Sequence, residues 1–236
     1  MADMFERFKH RSYELERLDT GDFTDHEYRR WQNEMHWIHG IFGETRALKR
    51  TLFREIDANG KSTVSVLDVG AGSGLLLRKL GKWLGSRRPF LVGADLSKAA
   101  ARSIADDKLT AVQCDATRLP FADRSFDHVF CSLFLHHLGD DDAVSFVREM
   151  ARVSSGRIYV IDLNRHPTAY YLYKTVGRLF FQRFTVEDGA LSILRSHTPE
   201  ELRAIGEKAG LADIKVVHSR VNRLVLSGVF HKAASK

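Results

Sequence analysis

Short apolar runs alternate with helix-length polar segments through the middle of the chain. Five runs predict strands: residues 64–69, 90–94, 109–113, 128–132 and 157–162. Each is almost continuously apolar, which is typical of parallel strands buried on both faces. The segments between them predict helices that begin near Leu75, Ser97, Asp140 and Thr168. This alternation predicts an α/β fold in which helices cover both faces of a parallel sheet.

The first sixty residues have helical rather than strand periodicity. Thr24 and Glu27 are spaced as a capping box, in which both side chains satisfy backbone N–H groups at a helix start. Apolar residues then recur at intervals of three and four: Tyr28, Trp31, Met35, Ile38 and Phe42. A second helical stretch stops at Gly60, because glycine readily adopts the left-handed conformation that ends helices. We therefore expect a helical cap over residues 1–60 and a second unit over residues 61–236.

The C-terminal part predicts a helix followed by two strands. Thr198, Pro199 and Glu201 mark the helix start, with threonine as the cap and proline in the first turn. Two apolar segments follow at 214–221 and 224–230, joined by a link of hairpin length. A hairpin makes these two strands antiparallel. The pattern as a whole predicts a Rossmann-like, seven-stranded, mostly parallel sheet with a C-terminal antiparallel hairpin and an N-terminal helical layer.

Composition and charge are those of an ordinary globular protein. Of the 236 residues, 44% are hydrophobic and 28% are charged, which is near the average for folded domains. The net charge of +6 can attract nucleic acid or an acidic membrane surface. The basic residues are scattered as single charges and pairs, however, and no RNA-binding module is recognisable. A solvated basic surface is therefore the favoured interpretation.

Targeting signals and cysteine patterns are weak in this sequence. No apolar stretch is long enough to span a bilayer, and the N-terminus is charged where a signal peptide is apolar. We therefore expect a cytoplasmic protein with no membrane span. Cys114 and Cys131 are the two cysteines, and neither belongs to a zinc-binding pattern, so both are expected to be reduced strand residues. The sequence does not determine the oligomeric state.

A glycine-rich turn follows the first predicted strand. The strand ends with Asp68, and the chain turns through Gly70, Gly72 and Gly74 into a helix. Such a turn usually binds a nucleotide-like ligand at the carboxyl edge of the sheet. The spacing is GxGxG rather than the dinucleotide GxGxxG, and an anionic Asp68 is a poor neighbour for a pyrophosphate. These features disfavour a nicotinamide oxidoreductase and favour a cationic ligand, although a purely structural glycine turn is the alternative.

Acidic residues also follow the second and third predicted strands. Asp95, which precedes Leu96, can accept hydrogen bonds from both hydroxyl groups of a ribose. Its alternative role is to cap the helix that begins at Ser97. Asp115, which precedes Ala116 after the third strand, can accept a hydrogen bond from an adenine amino group. The ribose site alone does not distinguish a dinucleotide from S-adenosylmethionine (SAM).

Together, these segments resemble the class I SAM-dependent methyltransferases, specifically their small-molecule branch. The resemblance covers residues 64–162 by motif and the C-terminal hairpin by order. It implies SAM as cofactor and S-adenosylhomocysteine as product, with the ligand held by these residues: Gly70, Gly72, Gly74 and Asp68 near the methionine part, Asp95 and Leu96 near the ribose, Asp115 and Ala116 near the adenine, and Ser132 and Leu133 near the sulfonium.

Two sets of residues are candidates for chemistry and acceptor binding. Methyl transfer is an in-line displacement, so the protein positions the nucleophile and can remove its proton. His136 and His137, just after the fourth strand, are the candidate general bases, although paired histidines at such a link often have only a packing role. Arg165 and Tyr170, after the fifth strand, are the candidate substrate contacts. The aromatic-rich region 168–184 is either a helix core or the wall of an apolar pocket.

The class of methyl acceptor is restricted by a resemblance and by the absence of certain sequence motifs. The chain looks like a bacterial subgroup that modifies phenolic, polyketide or quinone-like compounds, which favours O-methylation of a small organic molecule. Catechol-type enzymes have metal-binding carboxylates just after strand four, whereas Cys131 and Ser132 stand there in this chain, so we predict no metal ion. The Asn/Asp-Pro-Pro-Tyr motif of nucleic-acid methylation is missing, and a nucleic-acid partner is therefore not expected. RNA or protein methylation and non-catalytic SAM binding are the alternatives.

Overall fold

Seven strands form one mixed sheet in the computed structural model, which describes residues 6–41, 43–106 and 109–230. The strands are β1 Thr63–Val69, β2 Arg88–Asp95, β3 Thr110–Gln113, β4 His128–Ser132, β5 Arg157–Leu163, β6 Leu211–Ser219 and β7 Arg223–Phe230. Their order across the sheet is β3-β2-β1-β4-β5-β7-β6. Pairs among β1 to β5 are parallel, and β7 is antiparallel to both of its neighbours. The predicted seven-stranded sheet with an antiparallel C-terminal hairpin is confirmed.

Helices precede the sheet and connect its strands. They are α1 Arg17–Thr20, α2 Asp25–Ile41, α3 Glu44–Leu48, α4 Arg54–Asn59, α5 Leu75–Leu84, α6 Lys98–Asp106, α7 Asp140–Val153, α8 Pro167–Phe180, α9 Arg183–Arg195 and α10 Pro199–Lys208. A π-helical turn, Lys49–Phe53, makes α3 and α4 one continuous helix, and a 3-10 turn, Leu135–His137, follows β4. None of the helices in the described ranges is long and apolar enough to cross a membrane.

Both predicted capping boxes form. The N–H of Thr24 donates to Glu27 (2.8 Å), and the N–H of Glu27 donates to the Thr24 hydroxyl (3.2 Å). Thr198 and Glu201 make the same reciprocal pair at the start of α10. Each box satisfies two N–H groups that a helix start otherwise leaves unpaired, so the sequence fixes these two helix starts locally.

Two hydrophobic layers enclose the sheet because successive strand residues face opposite sides. Leu67 of β1 packs in one layer, whose other members include the α7 residues Phe146 and Met150. The neighbouring Val66 packs in the other layer, which contains Leu52 of the π-helical turn and Leu80 of α5. The central strands β1, β4 and β5 are thus buried on both faces, as their continuous apolar runs predicted, whereas β3 is an edge strand without a fully buried residue.

The continuous helix from Glu44 to Asn59 belongs to this second layer. Leu48 of α3 is fully buried in it, and at the start of α3 the buried Arg223 donates to the carboxylate of Glu44 (2.8 Å). We therefore propose that the cap consists of the segment through α2, and that Glu44 begins the sheet domain, rather than residue 61. Phe42, the last member of the predicted α2 stripe, lies outside the described residues.

Candidate active site

Polar side chains collect at the carboxyl edge of the sheet. Strand register pairs Asp68 with Gly93, Asp95 with Gln113, and Ser132 with Ile161. Because β1 to β5 are parallel, their last residues meet at one edge, and the loops that follow them surround it. The structure therefore brings the predicted cofactor residues and the two histidines to the same side of the molecule.

The glycine turn folds over the end of β2. The N–H groups of Gly70 and Ala71 both donate to the carbonyl of Ala94 (2.8 and 3.1 Å). Gly70, Gly72 and Gly74 all have positive φ, which side chains disfavour. A Cβ at Gly70 would lie 2.6 Å from a ring carbon of Phe134. This glycine is therefore required by close packing against the segment after β4, as well as by its backbone conformation.

Asp68 is a buried carboxylate without a donor. It is 2% exposed, and within the described ranges no hydrogen bond to its side chain is found. Burial, reinforced by the charge of Asp95, raises the pKa of Asp68 well above its usual range. An ionised carboxylate in such a position needs a positive partner. The arrangement suits a ligand that has a cationic group.

Asp95 binds backbone N–H groups and stays accessible, whereas the cap of α6 is Ser97 and not Asp95. Its carboxylate accepts from the N–H of Gly72 and from the N–H of Ser97 (2.8 Å each), while the Ser97 hydroxyl accepts from the N–H of Ala100 at the start of α6 (3.3 Å). Asp95 is partly exposed, and the neighbouring Leu96 is strongly exposed. The carboxylate thus connects the glycine turn to α6 and keeps open lone pairs for a ligand.

The remaining predicted cofactor residues lie after β3 and β4. Asp115 is exposed and accepts from the N–H and the hydroxyl of Thr117 (2.8 Å each), with Ala116 half-buried beside it. The Ser132 hydroxyl oxygen is buried, with no partner among the described residues. Leu133 has a φ of 53°, a strained conformation for a bulky residue. Such strain persists where the surroundings impose it, often at functional sites.

His136 is held by a buried carboxylate from β5. Asp162 accepts from the ring Nδ1 of His136 (2.7 Å) and from its backbone N–H (3.0 Å). Both side chains are almost completely buried. Burial acts to raise the pKa of Asp162, but the charge and hydrogen bond of His136 outweigh it and lower the pKa to about 2. An ionised Asp162 keeps the proton on Nδ1, so Nε2 carries the lone pair of the neutral ring.

His137 lies beside His136 and contacts the N-terminal segment. The two ring centroids are 4.2 Å apart, and Nδ1 of His137 is 3.5 Å from a carboxylate oxygen of Asp19. Arg195 donates to Asp19 (2.5 Å) and to the backbone carbonyl of His137 (3.2 Å). The nearby His137 imidazole outweighs burial and, together with Arg195, holds the pKa of Asp19 below its usual range.

Glu16 completes this group of side chains. Its carboxylate accepts from the Ser192 hydroxyl (2.8 Å) and lies 3.6 Å from the Arg195 guanidinium. Burial raises the pKa of Glu16 to about 7, against the opposing influence of His137, Ser192 and Arg195. The edge of the sheet therefore combines two imidazoles with three carboxylates, contributed by α1 and its preceding residue, the turn after β4, and β5.

Arg165 and Tyr170, the predicted substrate contacts, make contacts with neighbouring protein segments. The buried Arg165 donates to the carbonyls of Phe8 (3.0 Å) and Ser196 (2.7 Å) and forms a two-pronged ion pair with Glu201. Tyr170 packs against Phe8, and its hydroxyl accepts from Lys174 (3.2 Å). Both side chains hold helices and the N-terminal segment together, and their role as substrate contacts stays a prediction.

Sequence reasoning missed the residues that surround the histidines. Asp162 ends a predicted strand and was recognisable as an edge residue, because carboxyl ends of parallel strands share one edge. Glu16, Asp19 and Arg195 lie far from the histidines in sequence, and no local pattern marks them. The docking of the N-terminal segment on α9 brings them together.

The comparisons with known proteins agree with this geometry. A methyltransferase-domain family matches residues 67–160, a region that runs from β1 into β5 and includes the glycine turn. The chain belongs to the class I SAM-dependent methyltransferases. SAM is therefore its methyl donor, and S-adenosylhomocysteine is the product.

Two curated relatives are methyltransferases whose names refer to ubiquinone or menaquinone compounds. The ubiquinone/menaquinone biosynthesis C-methyltransferase UbiE of Hahella chejuensis is 30% identical over 178 residues, which cover 66% of this chain and 70% of that protein. The demethylmenaquinone methyltransferase of Mycolicibacterium paratuberculosis is 34% identical over 158 residues, which cover 63% of this chain and 64% of that protein.

A solved structure shares the fold over almost the whole chain. It is a SAM-dependent methyltransferase from Thermotoga maritima, described as a possible histamine N-methyltransferase. The TM-score is 0.60 at 19% identity, and the alignment covers 97% of this chain and 99% of the other. At this identity the likeness establishes the fold alone.

Proposed function

We propose that this enzyme transfers the methyl group of SAM to a ring carbon of a small, quinol-like aromatic acceptor. The observation that carries the proposal is the Asp162–His136 pair beside His137 at the carboxyl edge of the sheet, since a held imidazole can remove a hydroxyl proton. The quinone-pathway relatives support the acceptor class. One of them is named a C-methyltransferase, so we propose C-methylation instead of the O-methylation that the sequence favoured.

The cofactor half of the proposal rests on β1 and its glycine turn. SAM supplies a methyl group on positive sulfur, and it also has an ammonium group. Asp68 would pair with a positive group, because burial without a donor makes its ionised form costly otherwise. The other proposed cofactor contacts follow from their places at the same edge: Gly70, Gly72, Gly74, Asp95, Leu96, Asp115, Ala116, Ser132 and Leu133.

The acceptor half rests on the histidines. Removal of a quinol hydroxyl proton by Nε2 of His136 or by His137 raises the electron density on the neighbouring ring carbon. That carbon then forms the new bond to the methyl group, while the carbon–sulfur bond breaks and its electrons stay on sulfur. The ring carbon then loses its proton to water, which restores the aromatic system, and the imidazolium returns its proton to the acceptor oxygen. Ionised Asp162 favours the first step, because it stabilises the imidazolium that forms.

The test is methyl transfer from tritium-labelled SAM to a panel of hydroquinones and phenols, with total RNA and bulk protein as competing acceptors. We expect label in a hydroquinone. His136→Ala and His137→Ala should lower kcat by about 10²- to 10⁴-fold with nearly unchanged SAM affinity, whereas His218→Ala, an exposed histidine of β6, should leave kcat unchanged. Label only in RNA or protein would contradict the proposal, as would full turnover in both active-site variants.

A further inference from the structure

Glu16, His136 and His137 have the composition of a metal site. Each offers one ligand atom, and these atoms all lie within 4.8 Å of one another. Two imidazoles and one carboxylate, in a mostly buried position, are a common ligand set for Zn²⁺ and related first-row divalent ions. We propose that these three side chains bind a divalent transition-metal ion.

The surroundings of the two imidazoles support this assignment. A metal-binding histidine almost always donates its other ring N–H to a carboxylate, a carbonyl or water. Asp162 occupies that position for His136 at 2.7 Å, and Asp19 lies 3.5 Å from the same nitrogen of His137. Both pairings involve Nδ1, so the Nε2 atom of each ring remains for an ion. A carboxylate thus lies beside Nδ1 of each imidazole, as a hydrogen bond for His136 and at ion-pair distance for His137.

The charge of the cluster also favours a cation. The cluster contains three carboxylates, those of Glu16, Asp19 and Asp162. The guanidinium of Arg195 lies 3.6 Å from Glu16 and 2.5 Å from Asp19. When all three are ionised, an excess of negative charge remains in a largely buried space, which is costly without further neutralisation. A divalent ion between Glu16 and the imidazoles would offset this excess.

A bound ion would change the role of the histidines, and this part of the inference rests on the proposed quinol acceptor. Three protein ligands leave an open position, as catalytic zinc sites do. The acceptor hydroxyl oxygen would occupy that position, and the ion would lower the pKa of the hydroxyl group. In the metal-loaded enzyme the proton would pass to water, because the ion would hold the Nε2 lone pairs, and the imidazole base of the proposed function would describe the metal-free enzyme. The sequence prediction of no metal considered only Cys131 and Ser132, and could not include Glu16.

The first test measures metal content and affinity in the full chain. Protein stripped with a chelator is titrated with Zn²⁺, and bound metal is measured by elemental mass spectrometry after desalting. We expect one equivalent in the wild type and in His218→Ala. Glu16→Gln and His137→Ala should bind at least about 100-fold more weakly, since each removes a ligand. Wild-type protein without stoichiometric metal, or variants that bind as tightly as wild type, would overturn the proposal.

The second test examines the coordination itself. Co²⁺ in place of Zn²⁺ should give the visible absorption bands of a four-coordinate site in the wild type and lose them in Glu16→Gln. Asp162→Asn should weaken affinity by about 10- to 100-fold, because this residue positions a ligand without being one. SAM binding and thermal unfolding of each variant show that it is folded. A cobalt spectrum that is the same in wild type and Glu16→Gln would place the ion elsewhere.

The experiments distinguish a failure of the metal site from a failure of the proposed methyl acceptor. A stoichiometric ion with no methylated quinol would leave the metal site standing and contradict the acceptor. Equal transfer rates in stripped and Zn²⁺-loaded protein would overturn the role of the ion in catalysis, while the proposed acceptor would stand.

Discussion

Asp68 shows how one residue can define a ligand. It is the last residue but one of β1, it is buried, and no described residue donates to its carboxylate. A buried carboxylate without a partner lowers the stability of the free protein, and a bound cationic ligand would offset this cost. The glycine turn beside Asp68 limits the shape of a ligand that can bind there, and the Asp68 carboxylate favours a ligand with a positive charge.

Replacing Asp68 by Asn should weaken SAM binding by about 10- to 100-fold, because a charge-assisted contact is lost. Cation binding lowers the raised pKa of Asp68, so SAM binding by the wild type should release protons. Calorimetric titration in buffers of different ionisation enthalpy measures this release. The variant should release fewer protons, and equal release in both proteins would show that Asp68 does not contact the cationic ligand.

His197 provides a pH prediction at the same scale. Both ring nitrogens are buried without a partner among the described residues, and burial, with the charge of Arg11, lowers the pKa of His197 from 6.5 to about 4. Between these values the unfolded chain binds a proton that the folded chain does not. Stability is therefore complete above about pH 6.5 and falls by up to about 3 kcal/mol as the pH approaches 4.

His197→Leu should remove this contribution to acid sensitivity. Urea unfolding of the variant, measured at about pH 7.5 and about pH 5, should show a smaller loss of stability than the wild type. His218→Leu is the matched control, because that histidine is exposed, and it should lose as much stability as the wild type. An unchanged pH dependence in His197→Leu would show that another group accounts for the acid sensitivity.

At the scale of elements, the helices after β5 hold the acceptor side together. Helices α8 and α9 pack closely where Gly189 of α9 faces the ring of Tyr173, whose hydroxyl donates to the carbonyl of Thr185 (3.0 Å). A Cβ at Gly189 would lie 2.6 Å from ring carbons of Tyr173. Because α9 also contributes Ser192 and Arg195 to the cluster, this packing fixes the position of Glu16.

Gly189→Ala should therefore cost about 1–3 kcal/mol of stability, since it overpacks a helix contact. The matched control is Gly206→Ala in α10, where the added Cβ meets side-chain carbons at 3.3 Å or more. That substitution should be close to neutral, because alanine also favours the helix. Thermal or urea unfolding measures both. Equal stability of the two variants would contradict the tight α8–α9 contact.

For the whole molecule, the N-terminal segment covers the turn that contains the histidines. Arg11, whose side chain is 5% exposed, donates to the carbonyls of Arg195 (2.7 Å), His136 (3.2 Å) and Leu138 (3.0 Å), and to Asp140 (2.6 Å). One side chain thus joins the segment, α9, the turn after β4 and the start of α7. The positions of Glu16 and Asp19 depend on this attachment.

Arg11→Ala should lower stability by about 2–4 kcal/mol, because it leaves several buried acceptors unpaired. It should also speed hydrogen exchange in residues 6–20 and reduce kcat for the acceptor more than it affects SAM affinity. Arg203→Ala, on the exposed side of α10, serves as the control and should change none of these quantities. Unchanged hydrogen exchange in residues 6–20 of the Arg11→Ala variant would show that Arg11 does not hold the N-terminal segment in place.

The sheet and its glycine turn were predictable because their signals are local. Continuous apolar runs marked the buried strands, Asn222 and its neighbours marked the hairpin, and the glycine spacing marked the ligand turn. The acceptor side was not predictable, because it depends on contacts distant in sequence. The ion pair of Arg165 with Glu201 joins residues 36 positions apart, and Glu16 has no sequence neighbour that indicates a site.

The most direct test of the proposed activity is the identity of the methylated atom. Wild-type enzyme, SAM labelled with ¹³C in its methyl group and a hydroquinone with a free ring carbon beside a hydroxyl group are incubated together, and the product is analysed by NMR. We predict a ¹³C signal of a methyl group on an aromatic carbon, with one S-adenosylhomocysteine formed per product and little of either in His137→Ala. A methoxy signal, or a hydroquinone recovered without label, would contradict C-methylation of a quinol-like acceptor.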